Sequence, residues 1–146
     1  MARVDFYVLT HTAAEDRNRY ACTLAGKAWH EGHRVYIHAS SLAEAEAMDQ
    51  LLWTFKDIAF LPHELVRGHE EQDVPILVGC GEHAPQAPDL MINLSHPVPA
   101  FVSRFSRIIE LVDEDSAARE RARDRYRCYR EQGHTLHNHT IDSGHG

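Results

Sequence analysis

Four short apolar runs, VDFYVL, RVYIHA, VPILVGC and LMINLS, recur along the chain, and the segments between them carry helical periodicity. The runs have strand length and are apolar on nearly every residue, so each is buried on both faces. That pattern belongs to a parallel sheet, not to a half-solvated antiparallel one. Parallel strands need crossovers, and the intervening helices supply them. THTAAEDRNRYACTLAGKAWHEG places Tyr20, Leu24, Ala25, Ala28 and Trp29 at helical spacing, with Gly32 as its stop. Ser41-x-x-Glu44 is a capping box opening SLAEAEAMDQLLW. PVPAFVSRF reads as a short helix leading into RIIELV, and a helix over 116–131 closes the fold. The expectation is a single α/β domain, a mostly parallel sheet with helices on both faces, Rossmann-like but without a nucleotide-binding loop. It spans residues 1–133, followed by a His-rich polar tail over 134–146. Strand order is not legible in the sequence.

The length of 146 residues suits one core, and 43% hydrophobic residues fill it without disulfides or metal. No run reaches the roughly 18 apolar residues of a membrane span, and the N-terminal run is too short for a signal peptide, so a cytoplasmic protein is expected. Cys22, Cys80 and Cys128 are odd in number and lack C-x-x-C spacing, which points to reduced, structural thiols. Of the 12 histidines, His134, His137 and His139 match no standard metal-ligand spacing in a polar, Gly-terminated end. They read as a frayed tail of solvated side chains, and no metal and no cofactor are expected.

Enzyme chemistry finds little purchase. The loop after the first strand, THTAAEDR, lacks glycine. Gly79-x-Gly81 is followed by Pro85 and Pro88 where a phosphate-binding helix would begin, and a Walker A motif is absent. Cys80 beside a histidine, or His63 as a base, would suit a small α/β enzyme acting on an anionic metabolite. Cys80 at the end of an apolar strand reads instead as a small hydrophobe, and His63 as a hydrogen-bonded structural residue. No catalytic residue is assigned.

Two surfaces remain. Read as one helix, MDQLLWTFKDIAFLPHEL puts Met48, Leu51, Leu52 and Phe55 on a core stripe and Trp53 about 140° away from Met48. A tryptophan off the core stripe is a candidate partner contact. Further along, AARERARDRYRCYR holds six arginines in a chain of net charge −7. On a helix Arg119, Arg123 and Arg130 fall within about 60° of Tyr126, bordering a sheet-facing stripe of Ala118, Ala122 and Tyr129. Arg121, Arg125 and Cys128 point to the other flank. Guanidinium forks beside an apolar shelf suit a carboxylate attached to a hydrophobic side chain. Nucleic acid is a poorer fit, because the acidic remainder of the surface repels phosphates.

FYVL, AWHEGHRVYIHA, LLWTFKDIAFLPHEL, DLMINLS and ARDRYRCYREQGHTL, in this order, resemble the chi subunit family of bacterial DNA polymerase III. W-x-x-G-x-R-V, L-W-x-F with F-L-P-H, and R-Y-x-x-Y-R carry the likeness, which covers almost the whole chain. The resemblance implies a non-catalytic connector of the replicative clamp loader. It pairs with the psi subunit and holds the acidic C-terminal tail of single-stranded DNA-binding protein (SSB), which ends in Pro-Phe; contact with DNA is then mainly indirect. Carried over by position, Arg119, Arg123 and Tyr126 are tail-pocket residues with Gly133 at the edge, and Arg130 joins them from the helical wheel. Trp53 and Phe60, with Leu52 and Pro62 beside them, match the psi-binding surface, used in some bacteria by a repair helicase of the Rad3 type.

Overall fold

The computed structural model describes residues 2–10, 14–54, 62–66, 74–86 and 88–142. Its strands are β1 (Arg3–Thr10), β2 (Val35–Ala39), β3 (His63–Leu65), β4 (Ile76–Cys80), β5 (Leu90–Asn93), β6 (Arg107–Val112) and β7 (Thr135–Asp142). Its helices are α1 (Ala14–His30), α2 (Leu42–Thr54) and α3 (Ser116–Glu131), with a 3-10 turn at Val102–Arg104. One sheet of order β3-β4-β2-β5-β6-β1-β7 is parallel at every pairing.

Helices cover both faces, as the continuous apolar strands require. α1 and α2 bury Ala21, Ala25, Met48 and Leu52 against Ile37, Val78, Ile92 and Ile109. α3 and the 3-10 turn bury Ala122, Tyr129, Val102 and Phe105 against Val4, Phe6, Leu77 and Ile108 on the opposite face. Period-2 alternation assigns each strand residue to one of these layers.

Local chemistry sets the helix ends. Ser41 Oγ accepts from the Glu44 N–H, and Glu44 Oε1 accepts from the Ser40 N–H, so the capping box forms with its return bond one residue early. Asp115 caps α3 by accepting from the Ala118 N–H at 2.9 Å. α1 ends where Gly32 takes φ +94°, which lets the His33 N–H reach the Ala28 carbonyl and the Gly32 N–H reach that of Trp29. Gly133, at φ +85°, stops α3 by the same device.

Three expectations are corrected. Residues 48–65 are not one helix: α2 stops at Thr54, and His63–Leu65 forms the edge strand β3. The helix over 116–131 does not close the fold, and the polar segment after it is not a frayed tail. Residues 135–142 pair in parallel with β1 along its whole length, from Arg3–Thr135 to Thr10–Asp142. Arg125 does not point outward: it is 8% exposed and lies beneath α3.

Candidate functional site: a cavity under the arginine helix

β6, β1 and β7 lie side by side, and their alternation brings Val112, Val8, Phe6 and Asn138 to the face beneath α3. α3 crosses above them and contributes Arg119, Ala122, Arg123 and Tyr126. Together these residues enclose an open cavity of about 240 Å³. Its floor is apolar, and its rim carries two guanidinium groups and a phenol. The Tyr126 ring leans on Phe6 with centroids 5.3 Å apart, which fixes one wall.

Electrostatics favour an anion at this rim. Arg119 is half-buried, and its Nε is buried with no hydrogen-bond partner among the described residues. A buried donor left without an acceptor is costly, so an incoming carboxylate oxygen gains more there than on open surface. Arg123 is exposed and forms no ion pair among the described residues. The floor offers burial for one apolar side chain. The geometry can therefore hold a group that is anionic at one end and hydrophobic at the other.

Sequence reasoning brought Arg119, Arg123 and Tyr126 together, and the cavity contains all three. Arg130 is exposed near the C-terminal end of α3, and Gly133 forms the helix stop; neither lines the cavity. Phe6, Val8, Val112 and Asn138 were missed, because three strands distant in sequence meet only through sheet order. The apolar alternation of β1 marked Phe6 and Val8 as inward, without saying which helix lay above.

Beneath α3, next to the cavity, Glu110 is fully buried. Arg125 Nε donates to it at 3.0 Å, the Tyr129 hydroxyl at 2.6 Å and Asn93 Nδ2 at 2.7 Å. Burial pushes the Glu110 carboxyl up from its usual range, with Arg125, Tyr129 and Asn93 pulling the other way. This network anchors the helix that carries the rim. A carboxylate inside the apolar run RIIELV was the signal that a cation had to lie above it.

The second sequence-predicted surface is on α2. Trp53 is 49% exposed, with its ring 4.4 Å from that of buried His63. Leu42, 46% exposed, is the other large exposed hydrophobic side chain among the described residues. Pro62 is partly exposed, Leu52 lies in the core at 1%, and Phe60 falls outside the described residues. Cys22, Cys80 and Cys128 are free thiols, and burial pushes that of Cys22 up to about 12. Among the described residues, no group of three or more His, Cys, Asp or Glu could hold a metal ion, and no helix is long and apolar enough to cross a membrane.

These features define a parallel α/β protein whose main surface features are a cation-rimmed apolar cavity and an exposed tryptophan. The chain belongs to the family described as DNA polymerase III chi subunit, HolC, which it matches over residues 1–137. It is 44% identical to the DNA polymerase III subunit chi of Pseudomonas aeruginosa over 141 residues, 97% of this chain and 98% of that protein. The chi subunit of Haemophilus influenzae is 36% identical, over 90% of this chain and 92% of its own length. That of Escherichia coli K12 is 25% identical, over 96% and 99%. The fold also resembles T4 UvsW (TM-score 0.67, 10% identity, 97% of this chain and 41% of that one). Yeast Dbp5, solved bound to Gle1 and IP6, gives a TM-score of 0.66 at 10% identity, covering 97% of this chain and 43% of that one. The chain is thus a chi-type accessory subunit of the bacterial replicative polymerase.

Proposed function

We propose that this subunit is a non-catalytic connector whose cavity under α3 holds the acidic C-terminal tail of SSB. The terminal phenylalanine lies on Phe6, Val8, Val112 and Ala122, its carboxylate meets Arg119 and Arg123, and upstream aspartates pass the outer face of α3. The observation that carries this reading is the pairing of an apolar floor with a buried, unsatisfied Arg119 Nε at its rim. Burying the phenyl ring contributes about 1.5 to 3 kcal/mol. A charge-assisted bidentate contact adds about 1.5 to 3 kcal/mol before entropy is charged against both. Micromolar affinity, near −8.2 kcal/mol, is the resulting scale. Several tails on one DNA-coating protein raise the effective affinity while each contact exchanges quickly.

The exposed Trp53 supports a second contact, with the psi subunit and through it the clamp loader, or with a Rad3-type helicase using the same face. An exposed tryptophan on a rigid helix is the residue type most enriched at binding hot spots. Contact with DNA is then indirect, through SSB.

Fluorescence titration with the acidic tail peptide tests the cavity. Arg123→Ala is expected to weaken binding roughly tenfold, the loss of one charge-assisted contact, with an unchanged unfolding midpoint. Wild-type affinity in this variant would remove Arg123 from the site.

A further inference from the structure

The connections of the sheet diverge between the neighbouring strands β2 and β5. After β2 the chain passes through α2 to β3, at one edge; after β5 it passes through the 3-10 turn to β6, towards the other edge. β2 and β5 are neighbours, and α2 and the 3-10 turn cover opposite faces. These two connections therefore part above the carboxyl ends of β2 and β5. In open parallel α/β sheets this is where ligands bind.

A second cavity, of about 220 Å³, lies at that point, across α3 from the first. No glycine lines it; its cations are the side chains of Arg17 from α1 and of Arg121 and Arg125 from α3, with the His96 imidazole from the segment after β5 beside them. Arg125 is held by Glu110 behind it, and its Nη1 lies 3.0 Å from His96 Nδ1. Arg17 lies 3.6 Å from Glu44. Arg121 is exposed and forms no ion pair among the described residues. Glu44 and Asp113 line the same cavity and Glu110 lies behind Arg125, so the charges balance locally and the Arg121 fork is the cation that an anion would meet first. The volume is below the roughly 300 Å³ of small-molecule pockets, room for a phosphate group and a few waters but not a whole nucleotide.

We infer that this crevice is an oxyanion site that takes a phosphate group, as the free ion or as the end of a monoester, between Arg121 and Arg125. Guanidinium forks here replace the backbone N–H groups that a glycine loop would offer. The site lies on the opposite flank of α3 from the proposed SSB-tail cavity, with Val112 lining both.

His96 reports on it. Burial lowers its proton affinity, Arg125 and Arg121 lower it further, and Asp124 acts in the opposite sense. Arg17, Glu44 and Asp113 face it across the cavity. An anion bound between the arginines cancels part of their effect and favours the imidazolium. NMR titration of the full chain, with the His96 resonance assigned by its loss in His96→Gln, tests this. Inorganic phosphate at about 10 mM is expected to raise the His96 pKa by about half a unit relative to chloride at matched ionic strength. Arg121→Ala is expected to abolish the rise, while Lys27→Ala, which removes an equal charge farther along α1, retains it. Adenosine 5′-monophosphate acting like phosphate assigns the site to monoesters, and phosphate acting alone assigns it to the free ion. A His96 response no larger than that to chloride, or one that survives Arg121→Ala, would overturn the assignment.

Discussion

Glu110 sits in the middle of an apolar strand, fully buried, and its charge is answered from α3, fifteen residues later in the chain, by Arg125. The helical wheel sorted α3 into faces correctly for Arg119, Arg123 and Tyr126, and it placed Tyr129 against the sheet. It sent Arg125 outward, because angular position says nothing of what lies underneath. At an interior position a guanidinium and a carboxylate are stable only as a pair. Arg125→Met is expected to cost about 3 to 5 kcal/mol by stranding the Glu110 carboxylate, and the double variant Glu110→Gln with Arg125→Met to recover most of it. Urea unfolding measures both. A single variant as stable as the wild type would show that the pair does not anchor α3.

The elements were legible where burial wrote them into the sequence. Apolar strands β1, β2, β4 and β5 declared themselves, as did α1 with its glycine stop and α2 with its serine cap. β3 and β7 did not, for the same reason at opposite edges of the sheet. Each is polar or short, pairs with one neighbour, and buries fewer side chains than the inner strands. TLHNHTID reads as a solvated tail until β1 lies beside it. The two candidate surfaces belong to different helices on opposite faces, so they should fail separately. Trp53→Ala is expected to leave tail-peptide affinity unchanged and to abolish co-elution with psi in size-exclusion chromatography at low micromolar concentration. A variant that still co-elutes would place the psi contact elsewhere.

At the scale of the whole molecule, strand order does the work that no motif could announce. β7 at the edge beyond β1 brings Asn138 beside Phe6, and β6 on the other side brings Val112 beside Val8; α3 then covers all three strands. Long-range parallel pairing of this kind leaves no local trace in the sequence, so the cavity floor was invisible while its arginine rim was readable. In the function proposed above, this floor buries the last side chain of a polypeptide and the forks meet its last carboxylate. The most direct measurement is a titration of the purified subunit with an aspartate-rich peptide ending in Pro-Phe, against the same peptide lacking the phenylalanine. Loss of the ring is expected to weaken binding at least about tenfold, the lower end of what burying a phenyl side chain supplies. Equal affinity for the two peptides would mean that charge alone drives the contact and that the apolar cavity is not where the tail ends.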